Sequence, residues 1–241
     1  MQKKDATEAL KEYMIANQPI YVQELYEYFR RNEPWLKESS LRWKIHKYAQ
    51  EGIIYNKGKG MYYLQEKEMF SAEQTMKMQE IGKTIHRILP YTKFTIYGME
   101  WLNALTIHHL YFDYTIIEVE VDALEAVFQI VKEKYSNVFL APDRNIFSHY
   151  IVPGENNIII NRLYADAPLK KTKSGYYLPK LEKLLVDLYG ENFLFPPLDR
   201  READMILAAA NQKYSLNITT LQRYMKKRHI DFDLENIIAE V

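Results

Sequence analysis

Apolar positions recur along the first sixty residues in three helical stripes separated by short breaks. Leu10, Tyr13 and Met14 mark a helix over 5–17, with Asp5 or Thr7 placed to cap it. Gln18-Pro19-Ile20-Tyr21-Val22 breaks the stripe and reads as a short extended piece. Val22, Leu25, Tyr26 and Phe29 resume the helical spacing to Arg30, and Asn32-Glu33-Pro34 ends it. Ser39 or Ser40 is the expected N-cap of a third helix running to Gln50, and Gly52 stands where a left-handed C-terminal residue belongs. Two β-prone runs follow, Ile53–Asn56 and Met61–Leu64, around the turn Lys57-Gly58-Lys59-Gly60. Helix, extended piece, helix, helix and hairpin is the order of a winged helix-turn-helix. It is expected to occupy residues 1–66.

The pattern then changes. Residues 65–87 are polar with scattered Met and Phe, a linker expected to become the first helix of a second domain at 73–241. Strands are expected at 93–97, 114–121, 138–142, 150–152 and 158–160, the last two joined by Pro153-Gly154-Glu155-Asn156-Asn157. Helices are expected at 99–108 and, capped by Asp122, through Leu124, Val127, Phe128 and Val131. After Lys180 the periodicity is helical at 181–189, 200–212 and 218–229. The expected class is α+β, with helices collected at the C-terminal end.

Charge sharpens the first domain. The third helix sets Leu41, Ile45, Tyr48 and Ala49 on one face and Arg42, Trp43, Lys44, His46 and Lys47 on the rest. With Ser39 and Ser40 at its start, and Lys57 and Lys59 on the hairpin, this face fits DNA: long cations reach phosphates or guanine edges in a major groove. The plain alternative is a solvated helix face, with Trp43 packed on the hairpin. A second basic run, Arg223, Lys226, Lys227 and Arg228, lies near the C-terminus. Over the whole chain, 32 Lys and Arg balance 32 Asp and Glu, so only local patches can attract a polyanion.

Composition removes several chemistries. The absence of cysteine excludes disulfides, thiolate metal sites and thiol nucleophiles. No glycine-rich phosphate loop occurs, and no apolar run approaches the ~20 residues that span a bilayer. A cytoplasmic protein without metal or cofactor is expected. His108, His109 and Asp113 resemble a metal-site fragment, but adjacent helical residues point about 100° apart. Glu118 and Glu120 should share one strand face, where paired acids can hold magnesium. No lysine follows at nuclease-like spacing and no Gly-Ser precedes them.

The arrangement resembles the AbiEi-type antitoxins of bacterial abortive-infection toxin–antitoxin systems. The resemblance rests on Leu41-Arg42-Trp43-Lys44-Ile45, Glu51-Gly52-Ile53-Ile54 and Gly60-Met61-Tyr62-Tyr63-Leu64. It continues through Tyr114–Glu120 with Glu125-Ala126-Val127-Phe128, then Ala167-Pro168-Leu169 and 179–188. It ends on Leu221-Gln222-Arg223-Tyr224-Met225-Lys226-Lys227-Arg228, where Met225 departs from the usual Ala. The resemblance implies a winged helix that binds operator DNA and represses its own operon. It also implies a C-terminal domain that counters a nucleotidyltransferase-like toxin, in a family described as acting without a stable toxin complex. Arg223, Lys226, Lys227 and Arg228 are then expected either to form the antitoxicity surface, touching RNA or an acidic protein, or to stabilise a helix end. Two other functions stay open at this level. One is a magnesium-dependent nucleic-acid-processing enzyme using Glu118 and Glu120; the other is a ligand-sensing transcription regulator.

Overall fold

The computed structural model describes residues 6–64, 68–106, 114–152, 154–190 and 200–239. Helices and two sheets mix along the chain, which divides into two compact units: 1–69 with 213–220, and 70–212 with 221–241.

The first unit opens with α1 (Ala6–Asn17), β1 (Ile20–Tyr21), α2 (Val22–Asn32) and α3 (Glu38–Gln50). The hairpin β2 (Ile54–Gly58) and β3 (Met61–Leu64) follows. β1 pairs with the far edge of β3, Ile20 opposite Tyr62, so the sheet order is β1-β3-β2. The apolar stripes meet in one core of Leu10, Met14, Ile20, Leu25, Phe29, Leu41, Ile45, Tyr48 and Ile54. The rings of Phe29 and Tyr48 stack there at 5.8 Å. Gly52 takes the left-handed conformation (φ 69°) that lets the chain leave α3. Ser39 and Ser40 are not its N-cap: Lys37 holds that place without a side-chain hydrogen bond, and both serines lie in the first turn.

Residues 213–220 return to this unit. The Lys213 carbonyl accepts from Glu68 N, the Glu68 carbonyl accepts from Ser215 N, and Asn217 Nδ2 donates to the Asn56 carbonyl. Leu216 is buried, and Gly58 (φ 123°) faces Thr219 so closely that a Cβ there would sit 1.9 Å from Thr219 Oγ1.

The second unit begins at α4 (Met76–Ile88), capped by Thr75 Oγ1 accepting from Met78 N at 3.1 Å. The expected helix therefore starts well after residue 65. Next come β4 (Phe94–Gly98) and a 3₁₀ segment, Met99–Leu105, in place of the expected α-helix. β5 (Thr115–Val119) and a 3₁₀ turn at Val121–Ala123 lead into α5 (Leu124–Lys132), so Asp122 sits in the turn and is not the cap. β6 (Val138–Leu140) is followed by α6 (Arg144–Tyr150), where a strand at 150–152 was expected. Asp143 Oδ1 accepts from Ile146 N and starts that helix. β7 (Ile158–Arg162), β8 (Leu169–Lys171) and β9 (Tyr177–Pro179) complete the sheet, the last two not anticipated. α7 (Leu181–Asp187), α8 (Arg200–Lys213) and α9 (Ile218–Arg228) lie close to the expected helical spans, and α10 (Leu234–Ala239) follows beyond them.

The six strands run in the order β6-β7-β5-β4-β9-β8. β5 is parallel to β7 and antiparallel to β4, and every residue of β4 and β5 is buried. Phe94 stacks at 5.7 Å on Tyr176, whose ring fills the space beside Gly82, so α4 covers the Phe94 and Ile96 face. Tyr97 and Glu118 project from the opposite face, toward Lys183 of α7. No helix among the described residues is long and apolar enough to cross a membrane.

Candidate nucleic-acid interface

α3 packs its apolar stripe on β2 and turns its other side to solvent. Arg42, Trp43, His46 and Lys47 are exposed, as is Ser39, while Ser40 is half-buried. Trp43 is an apolar ring left 61% open. The cations are steered by neighbouring acids. Arg42 Nη2 pairs with Glu38 Oε1 at 2.6 Å, and Lys47 pairs with Glu51 at 3.7 Å while lying 5.6 Å from the Trp43 ring. Such exposed pairs are weak and readily exchanged for phosphate.

Lys44 behaves differently. Its ammonium turns inward to Glu33 and sits 5.3 Å from the centre of the Phe29 ring, with 20% of the side chain open. It braces α3 against α2 and leaves the exposed set. At the hairpin tip Lys57 and Lys59 are exposed; Lys57 lies over Tyr63, and Lys59 adopts φ 51° in the tight turn.

The C-terminal basic run splits three ways. Arg223 and Lys226 are exposed, Lys227 pairs with Asp166 at 3.0 Å, and Arg228 points inward. Arg228 is ion-paired with Asp187, stacks 3.5 Å from the Tyr164 ring centre, and is 6% open. The expectation of four cations on one open surface fails at Arg228, because the buried Asp187 carboxylate claims it.

Asp187 belongs to a charged cluster inside the second unit. Lys183 Nζ donates to Asp187 Oδ2 at 2.7 Å and to Glu118 Oε1 at 2.9 Å. It also lies 2.7 Å from Glu118 Oε2, without the alignment of a hydrogen bond. Tyr97 Oη donates to Glu118 Oε1 at 2.7 Å, and Tyr224 Oη donates to Asp187 Oδ1 at 3.1 Å. Burial pushes the Glu118 carboxyl above its usual range, with the Lys183 ammonium opposing it. Burial alone would lower the Lys183 ammonium, but Asp187 and Glu118 hold it well above the ordinary value. Burial, and then the Glu118 charge, push the Tyr97 phenol well up. Two acids and two bases compensate one another, as buried charges must.

Glu118 and Glu120 are not brought together as a metal pair. The Glu118 oxygens face Lys183 and Tyr97, whereas β5 ends at Val119 and Glu120 Oε2 accepts from Lys93 N at 3.2 Å. Among the described residues no group of three or more His, Asp or Glu side chains could hold a metal ion. His108, His109 and Asp113 lie outside the described residues. Lys183 and Asp187 escaped the sequence reading. Their signal was a Lys and an Asp one turn apart in the run Leu181–Leu188, on a helix whose Leu181, Leu184, Leu185, Val186 and Leu188 leave little polar face.

No match is found among curated proteins. The match to a family model starts at Ser40, inside α3, and runs to the end of the chain. Through residues 40–241 the chain belongs to a family of unknown function, DUF6577.

Proposed function

We propose that the chain is a DNA-binding antitoxin and autorepressor, with its first unit acting as a winged helix-turn-helix. In this reading α3 enters the major groove of operator DNA and the β2–β3 hairpin is the wing. The second unit counters a nucleotidyltransferase-like toxin, a role that rests on the sequence resemblance to AbiEi-type antitoxins. The observation that carries the DNA reading is the exposed row Arg42, Trp43, His46 and Lys47 on α3, together with exposed Lys57 and Lys59 on the hairpin. Lys44, drawn to Glu33, supports α3 and contributes no phosphate contact.

The test is a titration of duplex DNA from upstream of the protein's own reading frame at several salt concentrations. Replacing Arg42, Lys47, Lys57 and Lys59 together with Ala lowers the slope of log K against log salt by about 0.9 for each phosphate that the variant no longer neutralises. An unchanged slope removes this surface from the interface. Rescue of growth in cells co-expressing the neighbouring toxin gene tests the antitoxin half separately.

A further inference from the structure

The carboxyl ends of the parallel strands β5 and β7 gather a cationic and aromatic surface in the second unit. Backbone bonds fix the frame. Leu163 N donates to the Val119 carbonyl at 2.7 Å, and Glu120 N donates to the Lys93 carbonyl at 3.2 Å. Lys93 and the 163–167 turn thus flank the end of β5. Arg162, the last residue of β7, stacks 4.6 Å from the Tyr164 ring centre, and that ring is held from within by Arg228. Arg223 and Lys227 stand one turn apart on α9, and Lys227 reaches Asp166 of the same turn. Lys227 first, then Arg223 and Lys93, hold the Asp166 carboxyl below its usual range. Tyr91, two residues before Lys93, is 99% exposed.

We infer that Lys93, Arg162, Arg223, Lys227 and Tyr91 form a binding surface for single-stranded nucleic acid. The cations take the phosphates and the open Tyr91 ring takes a base.

Three features select this partner. Four cationic side chains, two Lys and two Arg, gather on the segments at one strand end, and such a group suits phosphate contacts. An exposed ring beside a cationic track is the arrangement that holds unpaired strands, since every base offers a face to stack. Arg162 is exposed beside the Tyr164 ring, and a planar guanidinium offers several donors in a fork that matches phosphate oxygens. Asp166, Glu120 and Asp122 are the carboxylates on the described segments that form this edge. Asp166 pairs with Lys227, and Glu120 accepts from the Lys93 backbone and keeps its charge, so four cations against three carboxylates leave a positive excess. Ligands of α/β sheets commonly bind at this strand end.

The experiment uses full-length protein carrying Arg42, Lys47, Lys57 and Lys59→Ala, so failure of the duplex reading and failure of this one are separate results. Labelled twelve-nucleotide oligo(U) and oligo(dT) are titrated by anisotropy between 50 and 200 mM salt, beside a duplex of equal length and poly-glutamate. Binding of either single strand in preference to the duplex and poly-glutamate is expected, and the two sugars show which strand is preferred. Adding Lys93, Arg162, Arg223 and Lys227→Ala lowers the salt slope by about 0.7 for each phosphate left without its cation. Tyr91→Ala alone weakens binding about tenfold with the slope unchanged. If the fourfold variant melts early, Lys93→Gln with Arg223→Gln, which leaves the Lys227–Asp166 pair intact, makes the same comparison. Equal binding of duplex or poly-glutamate, or single-strand binding indifferent to these substitutions, overturns the proposal.

Discussion

The lysines of α3 and the lysine of α7 show how position on a helix decides what a charge does. On α3, Lys47 keeps half its side chain in water and its pair with Glu51 is long. On α7, Lys183 is fully buried and bonded to Glu118 and Asp187. The first is free to exchange partners, so it suits a binding face. The second has no water to fall back on, so removing it leaves the Glu118 carboxylate uncompensated in the interior and Asp187 with Arg228 alone. The contrast separates charges that recognise from charges that hold the fold.

The largest expected effect tests that separation. Lys183→Met should destabilise the second unit by about 3–5 kcal/mol, measured by denaturant unfolding. Changing Glu118→Gln in the same chain should recover much of the loss, since the Asp187 carboxylate still has Arg228 as its counter-charge. A loss under about 1 kcal/mol for Lys183→Met would show that water reaches the cluster.

Alkaline pH breaks the same cluster without mutation. The Glu118, Lys183 and Tyr97 values are all raised in the folded chain, so each favours a protonated native state. The Lys183 contribution is fully present below about pH 10.4, its unfolded value, and is lost as pH rises through the folded one. Tyr97 loses its contribution in the same direction above about pH 10. Unfolding on raising the pH past about 10 should therefore coincide with a late, cooperative rise in tyrosinate absorbance. Gradual tyrosine ionisation with no loss of structure would contradict the burial of these phenols.

A packing effect comes next. Gly58→Ala forces a Cβ onto Thr219 and should cost the first unit roughly 1–3 kcal/mol. Thr219→Gly in the same chain should restore part of it; no restoration would mean that the positive φ of Gly58 carries the cost.

The smallest pair of effects lies on α3. Arg42→Ala should leave the denaturant midpoint unchanged, because its ion pair is exposed. Lys44→Ala should cost about 1–2 kcal/mol, since its interactions with Glu33 and Phe29 are removed. Salt dependence of DNA binding should follow the opposite order, falling for Arg42→Ala and unchanged for Lys44→Ala.

Much of the first unit was legible because its signals are local. Leu41, Ile45 and Tyr48 recur at helical spacing, Gly52 marks the stop, and the glycines mark the hairpin. The same locality hid the rest. A stripe shows which residues face inward, yet only Glu33, just past the end of α2, decides that Lys44 turns away from solvent. Residues 150–152 look β-prone, but Asp143 starts a helix that ends at Tyr150. Glu118 read as half of an acid pair because its strand neighbour was visible. Its true partner arrives from 65 residues away on α7, a separation that no periodicity reports. Arg228 was misplaced for the same reason, Asp187 being 41 residues earlier.

The return of residues 213–220 to the hairpin bears on synthesis. A chain emerging from the ribosome in order has α1 to β3 in hand early, but Asn217, the partner of Asn56, follows 161 residues later, with the partners of Glu68 just before it. At about 5–20 residues per second, the hairpin waits roughly ten to thirty seconds for its final contacts. A message broken before codon 213 would thus release a protein with the whole of α3 in place and Gly58 uncovered.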